Sequence, residues 1–177
     1  MVIFINGSFG VGKTTVSRLL ARQLPGSVVV DPEPIGVILM RLAGLWPRRR
    51  IDDFQDLASW RAISSRTIGF AQRFRATVIV PMTFSNLDYL GEFLSYLRNR
   101  GVPTHHFCLT APYATVLERL HAREKSRPTA WVLRRSAECC EAHQAPEFAR
   151  HISTNDRSAR EVANEIAACL KTTLRPE

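Results

Sequence analysis

The segment "VIFINGSFGVGKTTVSRLL" (2–20) constrains this chain most. A short apolar run leads into G-x-x-x-x-G-K-[ST], met by Gly7, Gly12, Lys13 and Thr14, and a helical pattern follows. Strand, glycine loop and helix N-terminus are the context in which that spacing cradles phosphate. Glycines let backbone N–H groups converge on the anion, and the helix start adds a favourable field. The loop residues Gly7, Ser8, Phe9, Gly10, Val11, Gly12, Lys13, Thr14 and Thr15 are therefore assigned to nucleotide binding. Lys13 is expected on the β- and γ-phosphates and Thr14 on Mg²⁺.

Beyond the loop, short apolar runs alternate with amphipathic segments. Strands are predicted at 2–5, 27–31, 77–83, 104–110 and 149–154. Helices are predicted at 13–24, 53–75, 87–101, 112–124, 130–143 and 158–174, with a further helical piece after Pro32. Such alternation predicts an α/β fold, with five parallel strands covered by helices on both faces. The chain of 177 residues reads as a single domain. The stretch 33–76 is too long for one crossover and reads as a helical subregion beside the site, and 124–130 as a lid.

Composition narrows the classes. No apolar run reaches the ~18 residues needed to span a bilayer, and the first apolar run lacks the basic flank of a signal peptide. Cys108, Cys139, Cys140 and Cys169 form no C-x-x-C pair, so reduced thiols and a cytoplasmic setting are expected. The net charge of +8 suggests an anionic partner. No nucleic-acid-binding motif accompanies the arginine groups, so nucleotide phosphate is preferred over nucleic acid. His105 and His106 alternate across a strand and do not make a metal pair.

The second strand ends in Asp31, with Glu33 two residues on, whereas the third ends in Pro-Met-Thr. Strand C-termini of a parallel sheet face the ligand crevice. Asp31 is thus a candidate general base and Mg²⁺ partner; the alternative is a cap on the following helix. No N-K-x-D motif occurs, which argues against a GTPase. Arg119, Arg123 and Arg127 recur every four residues and run into the lid, with Lys125 beside them. Arg119 is expected to stack on adenine, while Arg123 and Arg127 stabilise the transferring group; a solvated basic face is the alternative. On the acceptor side Glu33, Asp53, Phe54, Trp60, Arg61 and Met82 are candidate substrate contacts. Equally, Phe54, Trp60, Ile63 and Phe70 fit a core face at helical spacing.

Seven pieces in order, "INGSFGVGKT", "DPEPIG", "DDFQDLASWR", "VIVPMT", "HHFCLT", "LERLHAR" and "HISTND", resemble the bacterial tunicamycin-resistance ATP-binding proteins. These are P-loop kinase-group proteins akin to nucleoside monophosphate kinases. The resemblance implies a kinase strand order, a mobile lid, ATP and Mg²⁺, and action on tunicamycin or a related nucleoside or sugar. It implies that Asp31 is base or Mg²⁺ partner and that Arg119 and Arg123 are the lid-helix pair. The family's prototype has a C-terminal extension linked with membrane contact, so weak membrane association is an expectation of the resemblance alone. Val162, Ile166 and Leu170 on the last helix read as core packing. Three functions stay open: phosphoryl transfer to the drug, ATP-dependent sequestration without chemistry, and a nucleotide or metabolite kinase. Oligomeric state is not legible.

Overall fold

The computed structural model describes residues 1–43, 53–122, 127–148 and 150–173. Its centre is β1 (Val2–Gly7), a six-residue apolar strand with every position buried. It pairs in parallel with β3 (Thr77–Pro81) on one side and β4 (Thr104–Thr110) on the other. The edge strands are β2 (Ser27–Val29) and β5 (Arg150–Ser153), giving the order β2-β3-β1-β4-β5. The chain leaves β1 toward β2 and later crosses to β4, so β1 lies at the switch point, where parallel sheets open a crevice at their C-terminal ends.

Alternation along β1 splits the core between the two faces of the sheet. Ile3 and Ile5 pack with Val16 and Leu20 of α1 (Lys13–Gln23), Val116 of α5 (Tyr113–His121) and Ile166 of α7 (Ala159–Thr173). Val2 and Phe4 pack with Trp60 and Ile68 of α3 (Ala58–Phe74) and Phe93 of α4 (Leu87–Arg98). The fold is therefore a three-layer α/β sandwich, as the alternating sequence predicts.

Local chemistry sets the helix starts. The Asn86 side chain accepts from Asp88 N and Tyr89 N at the head of α4. Thr129 Oγ1 accepts from Val132 N at the head of α6 (Ala130–Ala142). Ser158 and Glu161 form a reciprocal capping box before α7, each side chain accepting from the other's N–H.

The expected long helix over 53–75 is two pieces. Asp53 Oδ1 accepts from Gln55 N and starts a 3-10 turn at Phe54–Asp56. Leu57 is extended, and α3 begins at Ala58. This break rotates the apolar pattern. Trp60, Ser64 and Ile68 face inward, while Ile63 and Phe70 are 41% and 65% exposed. The core reading of Ile63 and Phe70 is thereby corrected. Helix α2 (Glu33–Ala43) follows β2 as expected.

Candidate active site

The loop between β1 and α1 is shaped by close approaches at two glycines and an open space at a third. A Cβ on Gly7 would lie 2.7 Å from Leu109 O, and one on Gly10 2.9 Å from Leu120 Cγ. Gly12 differs: nothing lies within 4 Å of its notional Cβ, but its φ of +106° disfavours any other residue. The space over Gly12 is therefore open at the place where α1 begins. As Gly12 cannot cap the helix with a side chain, the first N–H groups of α1 remain for an anion. Lys13 is 8% exposed and folds back, Nζ donating to Ser8 O at 2.9 Å. Thr14 and Thr15 are exposed at the same rim. Phe9 packs edge-on against Trp131, with centroids 5.7 Å apart, and Val11 is buried. Open amides, inward lysine and an exposed threonine fit a nucleoside triphosphate.

Opposite the loop stand two carboxylates with different roles. Asp31 is exposed, and its Oδ1 accepts from Glu33 N at 3.0 Å, so the capping alternative describes its contact. Glu33 is the carboxylate drawn inward. Burial raises its pKa above the ordinary value, and the Lys13 ammonium pulls it back down. Its Oε1 is shut off from solvent, and the Thr83 hydroxyl beside it, like Lys13, favours the ionised form.

Trp60 and Met82, both expected on substrate, are corrected by their burial at 0% and 2% exposure. Phe54 is likewise buried, against Trp60 at 4.8 Å between centroids. The indole is instead a positioning group: Trp60 Nε1 donates to Pro32 O at 3.1 Å, between Asp31 and Glu33. Arg61 is engaged by Glu92 Oε2 at 2.6 Å and Gln55 O at 2.6 Å, and it lies over the Tyr89 ring. It braces the wall. Arg127 is exposed, and Arg123 lies outside the described residues.

One cavity lies against the loop, and a second is lined by Trp131, which packs on Phe9 of the loop. The first, about 220 Å³, is lined by Gly12, Thr15, Arg119 and Thr154 among others. Arg119 is held there by neutral oxygens, Thr154 Oγ1 at 2.9 Å and Thr154 O at 2.8 Å. The other, about 350 Å³, lies between the 3-10 turn and α6. Asp53 is among its lining residues, its Oδ2 bonded to Arg135 Nη2 at 2.9 Å. Trp131, Arg135, Glu138 and Tyr89 complete its walls and were not singled out from sequence. The three-residue spacing of Arg135 and Glu138 on one helix is the local signal that could have marked them.

Farther in, Asn6 Nδ2 and His143 Nε2 both meet Phe84 O, which fixes the His143 hydrogen on Nε2. Burial drives the pKa of His143 and of His106 down to about 4. Among the described residues no cluster of three or more His, Cys, Asp or Glu could hold a metal ion. A cation here would lean on phosphate oxygens, the ordinary habit of Mg²⁺.

This geometry is that of a P-loop nucleotide-binding protein with a kinase-like fold. The family model described as an AAA domain matches residues 2–146. The Deinococcus radiodurans tunicamycin resistance protein is 33% identical, with a TM-score of 0.76, over 99% of this chain and 98% of that one. The chain belongs to the AAA-domain family and, within it, to the tunicamycin-resistance proteins of the P-loop kinase group. The fold is shared more widely. Shikimate kinase from Acinetobacter baumannii, in complex with shikimate, is 20% identical at TM-score 0.63, over 98% and 95% of the two chains. A gluconokinase from Sinorhizobium meliloti is 16% identical at TM-score 0.64, over 98% and 97%. No curated protein matches by sequence. Among the described residues no helix is long and apolar enough to cross a membrane.

Proposed function

We propose that the protein is an ATP-dependent phosphotransferase acting on a hydroxyl of a nucleoside- or sugar-containing small molecule, with tunicamycin as first candidate. The observation that carries the chemistry is Glu33, a carboxylate whose Oε1 is shut off from solvent, whose pKa burial raises, and which lies inside the field of Lys13. The candidate acceptor follows from the 33% identical resistance protein of D. radiodurans.

Lys13 and the amides at the head of α1 hold the β- and γ-phosphates. Arg119, whose partners are neutral, keeps an uncompensated charge beside the first cavity, where it packs on the adenine face. Thr14, with Asp31 acting through water, would hold Mg²⁺, which when bound offsets phosphate charge. Glu33 takes the acceptor's proton. As it does so, the acceptor oxygen bonds to the γ-phosphorus, the bond to the bridging oxygen breaks, and ADP leaves. The base role thus passes from Asp31, the expectation from sequence, to Glu33, and Asp31 keeps the helix cap and the metal side. Arg123 and Arg127 remain assigned to charge stabilisation in the lid.

The test incubates the protein with MgATP and tunicamycin and seeks a drug heavier by one phosphoryl group in the mass spectrum. Saturable binding of both ligands with no such product would leave sequestration as the function. The D. radiodurans protein is named for resistance and not for a reaction, which is why that second reading is kept. A screen of nucleoside monophosphates tests the alternative of a nucleotide kinase.

A further inference from the structure

The 350 Å³ cavity carries a charge balance that limits what it can hold. Its described lining has three carboxylates, Asp53, Asp56 and Glu138, against two guanidiniums, Arg134 and Arg135. This reverses the sign of the whole chain, which is +8. Arg135 is the inner cation, and anions already grip it. Nη2 meets Asp53 Oδ2 at 2.9 Å and Nη1 meets Glu138 Oε2 at 2.8 Å. The Arg135 and Asp53 side chains are only 17% and 13% exposed, so water screens their pair weakly. Arg134 points to solvent at 62% exposure, 3.9 Å from the other Glu138 oxygen.

A phosphate or carboxylate entering this cavity meets more carboxylates than guanidiniums among the described lining residues, and the inner cation, Arg135, is already paired. It would have to expel Asp53 or Glu138 from Arg135, leaving a half-buried carboxylate unpaired. Hydroxyl groups meet no such obstacle. Arg135 Nε is buried without a partner and calls for an acceptor, while the carboxylates call for donors. A hydroxyl is both at once, and a phosphate dianion only accepts. Tyr89 and Trp131 supply flat walls of the kind on which sugar rings and bases lie.

We infer that the acceptor is an uncharged polyhydroxylated ring, a sugar or nucleoside carrying no phosphate or carboxylate, and that Asp53 and Glu138 set this preference by neutralising Arg135. The inference rests on the proposed function only in taking this cavity as the acceptor side.

Binding separates the two claims, because it needs no transfer. Calorimetry on the whole protein, loaded with a non-hydrolysable ATP analogue, compares uridine with uridine 5′-monophosphate and N-acetylglucosamine with its 6-phosphate. The neutral member of each pair is expected to bind at least about tenfold tighter. Glu138→Gln releases Arg135 Nη1 and is expected to shrink that gap about tenfold, with Asp53→Asn as the second variant and a melting curve to confirm each fold. Equal or tighter binding of the phosphorylated members, or no binding by either neutral ring at millimolar concentration, overturns the inference. So does a gap that neither variant changes. Loss of phosphoryl transfer with the neutral preference intact would instead strike the proposed function.

Discussion

Arg119 and Arg135 line two different cavities and are held in opposite ways. Arg119 is fixed by a threonine hydroxyl and a backbone carbonyl, so its charge is placed but not consumed. Arg135 is fixed by two carboxylates, and its charge is spent within the protein. The same side chain thus serves one cavity as a cation and the other as a brace. The comparison teaches that counting basic residues near a site says little until each one's partners are known. It also separates the proposed donor side, where a guanidinium is left for anions, from the proposed acceptor side, where one is already paired.

The sharpest way to break this division is at the donor lysine. Lys13→Ala is expected to lower phosphoryl transfer about 10³-fold, read as product formed per minute at saturating MgATP. A small effect would mean that the phosphates lie elsewhere. Next in size, Glu33→Gln is expected to cut kcat about 10²-fold while leaving ATP affinity in place, seen by comparing turnover with calorimetric binding. In the parent protein kcat should climb with pH along a limb displaced above the ordinary carboxylate range, since burial raises the Glu33 pKa and only its ionised form accepts a proton.

Smaller is the loss at Arg119. Arg119→Ala is expected to raise the KM for ATP about tenfold with little change in kcat, the mark of lost ground-state binding. If instead kcat falls and KM holds, Arg119 acts on the transferring group and the two-sided division fails.

The finest probe is stability against pH. The folded pKa of Glu33 is raised, so its contribution is fully present below the unfolded value of 4.5 and is lost as pH rises through the folded value. Glu33→Gln should therefore melt a few degrees higher than the parent at pH 7, with the difference closing near pH 4. His106 and His143 act in the opposite sense. Their folded pKa values of about 4 lie below 6.5, so their contribution is present above pH 6.5 and fades as pH falls toward 4. Melting curves of the Glu33→Gln protein from pH 7 to pH 4 should show a falling midpoint to which His106, His143 and His105, also lowered by burial, contribute.

The donor half was legible in the sequence because its geometry is written in neighbouring residues. A strand, three glycines, a lysine and a helix within one short segment leave few alternatives, and the sheet follows from alternation. The acceptor half is assembled across distance. Asp53 meets Arg135 more than eighty residues along the chain, and no local spacing announces that contact. Trp60 shows the second kind of difficulty. An aromatic beside acids and arginines can stack on a ligand or enter the core, and the choice turns on where α3 begins. The extended residue Leu57 decided it by setting the helix phase. Likewise, sequence placed Asp31 at the end of a strand without showing that the helix turn after it swings Glu33 inward.

One absence of side chain has reach beyond its own position. Gly36 sits within α2, where a Cβ would come 2.5 Å from the Phe54 ring and 2.9 Å from Trp60 Nε1. Glycine there weakens the helix by about 1 kcal/mol relative to alanine, a loss that the tight seating against the two rings offsets. Since Trp60 also grips Pro32, this seat sets how deep α2 sits, and Glu33 rides one turn away on the same helix. A single methyl at position 36 would therefore act as a shim, pushing α2 off the two rings and shifting Glu33 from outside the crevice.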